Sequence, residues 1–183
     1  MVRKLKYHEQ KLLKRTDFLS WKQDKGHRDT QVMRTYHIQN REDYHKYNKI
    51  CGDIRKLAHH LSLLPSDDLV RIKHEQLLME KLYAMGIIAT KSKISDLENK
   101  ITVSAMARRR IPVVMTRLKM AENLKDATTF IEQGHVRVGP NVITDPAYLV
   151  TRTMEDYLTW VNTSKIRRNL LNFKNQLDDF EFS

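Results

Sequence analysis

Three consecutive arginines, Arg108-Arg109-Arg110, are the residues of this chain whose type and spacing point most directly to a task. From Lys100 to Ala121 the sequence carries six basic side chains, Lys100, Arg108, Arg109, Arg110, Arg117 and Lys119, and no acid. Lys125, His135 and Arg137 follow closely. The guanidinium is a planar fork of donors that matches phosphate oxygens, and its attraction for a polyanion is largely sequence-independent. A face that serves only solubility usually carries both signs. The chemistry this pattern offers is the holding of a phosphate backbone. Two blander readings stand beside it: a solvated helix face, and pairing of Arg108 or Arg110 with internal acids such as Asp126 or Glu122.

Other reactive types lack the company that catalysis or metal binding needs. His59 and His60 are adjacent, and neighbours on a helix do not share a face. His37 and His45 have no partner at a metal-ligand spacing, and the chain has no Walker loop or nucleophile turn. Asp67-Asp68 reads as helix-start charge rather than a carboxylate pair. Cys51 is the single cysteine, so no intrachain disulfide forms, and its helical spacing makes it a core residue. We expect no enzyme, metal, cofactor or small-molecule substrate. No apolar run reaches transmembrane length and the start has no apolar signal core, so no membrane association and a reducing compartment are expected.

The elements that must position the basic residues are legible around them. Ser104 is placed to cap a first helix. Pro112 forces a helix to restart or kink, with Ile111, Val114, Met115 and Leu118 at helical spacing. Asn123 is placed to cap a second helix with Asp126 in its first turn; Leu124, Ala127 and Ile131 form its apolar side and Gly134 ends it. His135-Val136-Arg137-Val138 alternates as a half-buried strand, valines inward, and Gly139-Pro140-Asn141 and Asp145-Pro146 are turns.

Elsewhere, net charge is +11 over 183 residues, concentrated at the start: residues 1–60 hold 15 basic and 7 acidic groups. That balance suggests a nucleic acid or another anionic partner. Residues 1–39 read as a basic arm, in which Phe18 and Trp21 anchor to a partner, stack on bases or pack within the chain. Residues 40–101 read as a helical region: one helix from Asn40 with the stripe Tyr44, Tyr47, Cys51, Ile54, Ala58 and Leu61, stopped by Pro65. A second runs from Asp67-Asp68 through Leu69, Ile72, Met79, Leu82, Tyr83 and Met85 to Gly86. Lys91-Ser92-Lys93 is a linker and Ser95-Asp96-Leu97-Glu98 a helical turn. Residues 151–183 extend the 102–150 unit. Met154–Val161 is apolar enough to pack on the strands, Ser164 caps a last helix, and Asp178-Asp179-Phe180-Glu181-Phe182 forms an acidic, aromatic tail.

Arg-Arg-Arg-Ile at 108–111, the helical hairpin, Gly-His-Val-Arg-Val at 134–138 and Asp-Pro-Ala-Tyr-Leu-Val at 145–150 together resemble the S-four RNA-binding domain, named for a small-subunit ribosomal protein. Many such domains have Asn-Gly after the valine where this chain has Gly139-Pro140, which stiffens the turn. The resemblance implies an α+β, mainly helical chain carrying a two-helix hairpin and a small β-sheet. It implies RNA contacts at Arg108, Arg109, Arg110, Arg117, Lys119, Lys125, His135 and Arg137.

Met1-Val2-Arg3-Lys4-Leu5-Lys6, Arg34-Thr35-Tyr36-His37-Ile38-Gln39-Asn40, Asn48-Lys49-Ile50-Cys51-Gly52-Asp53-Ile54-Arg55 and Thr151-Arg152-Thr153-Met154-Glu155-Asp156-Tyr157 extend the likeness to a nucleolar branch of that family, in the U-three small nucleolar ribonucleoprotein. That resemblance implies a non-catalytic ribosome-biogenesis factor of the small-subunit processome, resident in the nucleus and nucleolus. Its implied partners are the U-three snoRNA, precursor rRNA, and the Mpp-ten and Imp-four proteins. It implies promotion of snoRNA–pre-rRNA pairing for early cleavage. Two other roles remain open at this level: a structural small-subunit ribosomal protein, and an adaptor that chiefly grips Mpp-ten.

Overall fold

The computed structural model describes residues 3–16, 26–90, 94, 95, 97 and 101–176. Phe18, Trp21, the 91–93 linker, Lys100 and the acidic tail lie outside the described residues.

The chain runs through α1 (Tyr7–Arg15), α2 (Gly26–Thr35), α3 (Arg41–Ser62), α4 (Leu69–Ala84), α5 (Val103–Ala107), α6 (Ile111–Arg117) and α7 (Leu124–Glu132). The strands β1 (Val136–Val138) and β2 (Asn141–Val142) come next, then α8 (Arg152–Glu155), β3 (Leu158–Trp160) and α9 (Lys165–Phe173). It is a mainly helical α+β fold with a small antiparallel sheet in the order β2-β1-β3.

α3 forms as its stripe requires: Tyr47, Cys51, Ala58 and Leu61 are buried, and Tyr44 and Ile54 pack beside them. α4 departs from its expected stripe. Asp68 caps it through Val70 N–H at 2.9 Å, and Met79 and Leu82 are buried. Leu69, Val70, Ile72 and Leu77 instead face outward. The apolar residues of α4 surround the helix rather than lining one side, so packing against α3 can bury only part of them.

Two apolar cores result. One joins α3 and α4 to Ile87, Ile88, Leu97, Ile101 and α5. The other gathers Ile111, Val114, Met115, Ala127, Ile131, Val136, Val150 and Leu158. β1 lies centrally in the sheet, with Val136 opposite Trp160 and Val138 opposite Leu158. Val138 pairs with Asn141 across the two-residue turn Gly139-Pro140. Gly139 has φ +59°, and the following proline requires negative φ, a combination that fits a type II′ hairpin turn. The third strand comes from residues 158–160, beyond the 102–150 unit expected from sequence.

The cores are joined by side chains reaching backbone carbonyls. Tyr47 Oη donates to Ala147 O at 2.7 Å, while within the first core Arg55 Nε donates to Ile101 O at 3.0 Å. Arg152 lies over the Tyr83 ring at 4.0 Å and donates to Ile88 O at 2.8 Å. Residues 41–84 therefore brace the later unit.

Candidate nucleic-acid interface

The hairpin that carries the basic residues begins two residues earlier than the sequence suggests. Thr102, not Ser104, caps α5, its hydroxyl accepting from Ala105 N–H at 3.3 Å. α5 stops at Ala107, and the chain turns over residues 108–110 before Pro112 opens α6 at a position that needs no N–H. Asn123 occupies the N-cap of α7, but its amide reaches Asp126 rather than a backbone N–H. Gly134 closes α7 at φ +73°, with His135 N–H donating to Phe130 O, as in a left-handed helix end.

The turn separates the three arginines. Arg108 is exposed at the α5 terminus. Arg109 points inward: Nε donates to Val150 O at 2.9 Å and Nη1 to Glu155 Oε2 at 3.0 Å. Arg110 is 1% exposed and its Nη1 reaches Tyr36 O at 3.1 Å and His37 O at 3.3 Å, just beyond the end of α2. Carbonyls at a helix C-terminus carry partial negative charge, so this is a favourable place for an interior cation. Arg109 and Arg110 are thus corrected from RNA contacts to internal struts. Their partners are backbone carbonyls and Glu155, and Arg110 meets neither the Asp126 nor the Glu122 considered for it from sequence. Gly86 belongs to the same arrangement: it has φ +74°, and a Cβ there would lie 2.8 Å from Arg109 Nε.

The remaining positions keep their charge at or near the surface. Arg117 ends α6 about half exposed, paired with Glu155, which it shares with Arg109. Lys119 is exposed and adopts φ +61°, a left-handed position at which glycine costs less. Lys125 is exposed in the first turn of α7. His135 is half-buried with Nδ1 3.1 Å from Ser164 Oγ, and Arg137 is half-buried with Nε donating to Thr159 Oγ1 at 3.1 Å. Arg108, Arg117, Lys119 and Lys125 therefore form the accessible set on the helical hairpin, and His135 and Arg137 extend it to the sheet.

Burial raises Tyr47 above the usual tyrosine value of 10.0, partly offset by the neighbouring Arg110 charge. Among the described residues, no three histidine, cysteine or carboxylate side chains gather as metal ligands. Sequence reasoning missed the part of α9 in this region. Arg167 and Lys174 line the same cavity as Arg137 and Trp160. The available signal was the stretch from Tyr157 to Gln176, with four basic residues and no acid.

Comparisons with known proteins identify the family. Residues 4–108 match the family model of the ribosomal protein S4/S9 N-terminal domain, and residues 109–156 that of the S4 domain. The chain is 76% identical over 183 residues to the U3 small nucleolar ribonucleoprotein protein IMP3 of Saccharomyces cerevisiae, covering 100% of both. It is 49% identical over 182 residues to the protein of that name from Homo sapiens, covering 99% of this chain and 98% of that one. It is also 27% identical over 145 residues to small ribosomal subunit protein uS4 of Picrophilus torridus, covering 79% of each.

Proposed function

From the premise that the chain belongs to the U3 small nucleolar ribonucleoprotein protein IMP3 family, we propose that it is a non-catalytic RNA-binding factor of ribosome biogenesis. In this reading it acts in the nucleolus, within the small-subunit processome, and promotes pairing of the U-three snoRNA with precursor rRNA. Mpp-ten and Imp-four are its protein neighbours. The observation that carries the reading is the accessible set Arg108, Arg117, Lys119 and Lys125 on a braced hairpin, with Lys119 held in a backbone conformation that disfavours it. Such a surface works by differential affinity. A strand held open on it is favoured over the same strand folded back, by the difference in binding free energy. No bond chemistry is required.

The test is crosslinking of the tagged protein in cells, followed by sequencing of the attached RNA. Attachment to the U-three snoRNA and precursor spacer is expected. Attachment confined to mature small-subunit rRNA would transfer the reading to a ribosomal protein, for which the distant similarity to uS4 gives weaker support.

The outward-facing Leu69, Val70, Ile72 and Leu77 on α4 favour a second, compatible role as a protein adaptor. Ile72→Glu with Leu77→Glu should then impair recruitment of the factor while leaving its RNA affinity in isolation unchanged. Normal recruitment of this variant would remove the adaptor role.

A further inference from the structure

The cavity beside Arg137 is not part of the helical hairpin, and its chemistry differs from that of a phosphate-binding face. It measures about 310 Å³ and lies between the sheet and α9. Its walls are apolar, from Trp160, Leu170 and Leu171; its charged residues are Arg137, Arg167 and Lys174, and among the described residues none that lines it is acidic. Resting on the RNA-binding reading, we propose that this cavity receives one unpaired nucleobase of the bound RNA, with the adjoining phosphates against Arg137 and Lys174.

Four observations support that occupant. Trp160 offers an aromatic surface, and its ring is held edge-on by Phe130 at 5.8 Å and 76° between planes. A fixed platform lowers the ordering cost of binding. Bases taken out of a helix stack on aromatic side chains largely irrespective of sequence, while paired bases are not free to do so. The cations favour a polyanion over an apolar protein segment. Two of them are already oriented, Arg137 by Thr159 and Arg167 by Asn162. Finally, Arg137 of β1, which lines the cavity, is itself one of the residues expected to contact RNA.

The site would therefore distinguish a bulged or single-stranded nucleotide from continuous duplex. It also gives α9, which follows the S4 domain match, a direct part in binding. The hairpin cations would supply sequence-independent attachment, and the cavity would set the register of the strand.

The test uses the full chain and two RNA hairpins that differ only in one bulged position, a uridine in one and an abasic residue in the other. Wild type should bind the uridine form about tenfold more tightly, the lower part of the range for one stacked base. Leu170 is 41% exposed, so Leu170→Glu can place a carboxylate at the cavity without disturbing the core. This variant should keep its melting temperature and lose the tenfold preference. The ratio of affinities is the readout because an added negative charge weakens both complexes alike. In a Trp21→Phe background, Trp160 emission should be quenched by the uridine hairpin and not by the abasic one.

Equal affinity of wild type for the two hairpins would overturn the cavity assignment and leave the basic surface standing. So would a preference that survives Leu170→Glu. Failure of wild type to bind either hairpin at low salt would overturn the RNA-binding reading and the cavity with it.

Discussion

Arg110→Ala should damage the fold and leave the RNA-binding surface of the folded protein intact, contrary to what its place in the arginine run suggests. The side chain is 1% exposed and serves the carbonyls of Tyr36 and His37. Truncation leaves those carbonyls without a charged donor, costing about 1–3 kcal/mol. It also opens a space in the interior, for which large-to-alanine changes cost about 2–5 kcal/mol. Relief of the guanidinium's desolvation opposes both by about several kcal/mol. Arg110 Nε has no hydrogen-bond partner, so part of that penalty is borne without compensation in the native protein. A net loss of about 3 kcal/mol follows, which in a chain of this size lowers Tm by roughly 6–12 °C. Arg110→Met, which retains most of the volume, should fall between wild type and alanine. The assay pairs thermal unfolding with the slope of log affinity against log salt for an RNA hairpin. That slope should be unchanged for Arg110→Ala below its transition. An unchanged Tm with a slope reduced by about one unit would refute the assignment, because it would place Arg110 against a phosphate.

Arg108→Ala should do the opposite, holding Tm and reducing the salt slope by about one unit; a loss of Tm with an unchanged slope would count against its surface role. Lys119→Gly removes the left-handed strain along with the charge, so stability should stay within about 1 kcal/mol of wild type while RNA affinity falls. Equal RNA binding by this variant would remove Lys119 from the interface. Gly86→Ala adds a methyl at φ +74° and 2.8 Å from Arg109 Nε, and chemical denaturation should show a loss of about 1–3 kcal/mol. Tyr47 has a folded-state pKa raised by burial, so its contribution is whole below pH 10.0 and is lost as pH rises from there through the higher folded value. Stability measured across alkaline pH should therefore fall more steeply for wild type than for Tyr47→Phe, which loses about 1 kcal/mol at neutral pH with its bond to Ala147 O.

Periodicity made much of this fold legible. The α3 stripe, the α7 side with Ala127 and Ile131, and the strand valines all follow a repeat that one buried face imposes. Gly134 was legible because a left-handed helix end favours that residue. The arginines were not separable by the same means. They lie in a turn between two short helices, where successive side chains leave in directions that no period describes. Charge type also cannot reveal carbonyl acceptors just beyond the end of α2, more than 70 residues earlier in sequence. Thr102 and Ser104 are equally good caps by composition, and the backbone chose the earlier. β3 escaped notice because three residues, Leu158-Thr159-Trp160, are too few to establish alternation. Leu69 and Ile72 matched helical spacing but lie on exposed parts of a helix that is apolar on several sides.

Arg110 at the end of α2, Arg152 at the carbonyls after α4, and Tyr47 at Ala147 cross between the parts of the chain at separate points. Three such crossings remove a swivel in the way that three legs steady a stool. On the proposed reading the factor would act as a gauge: RNA seated on the hairpin and a protein seated on α4 would be kept at one separation and one orientation. A flexible tether would only raise the concentration of one neighbour near the other, whereas a gauge also dictates which alignments fit. Loosening a crossing should then produce misaligned assembly with both individual affinities intact.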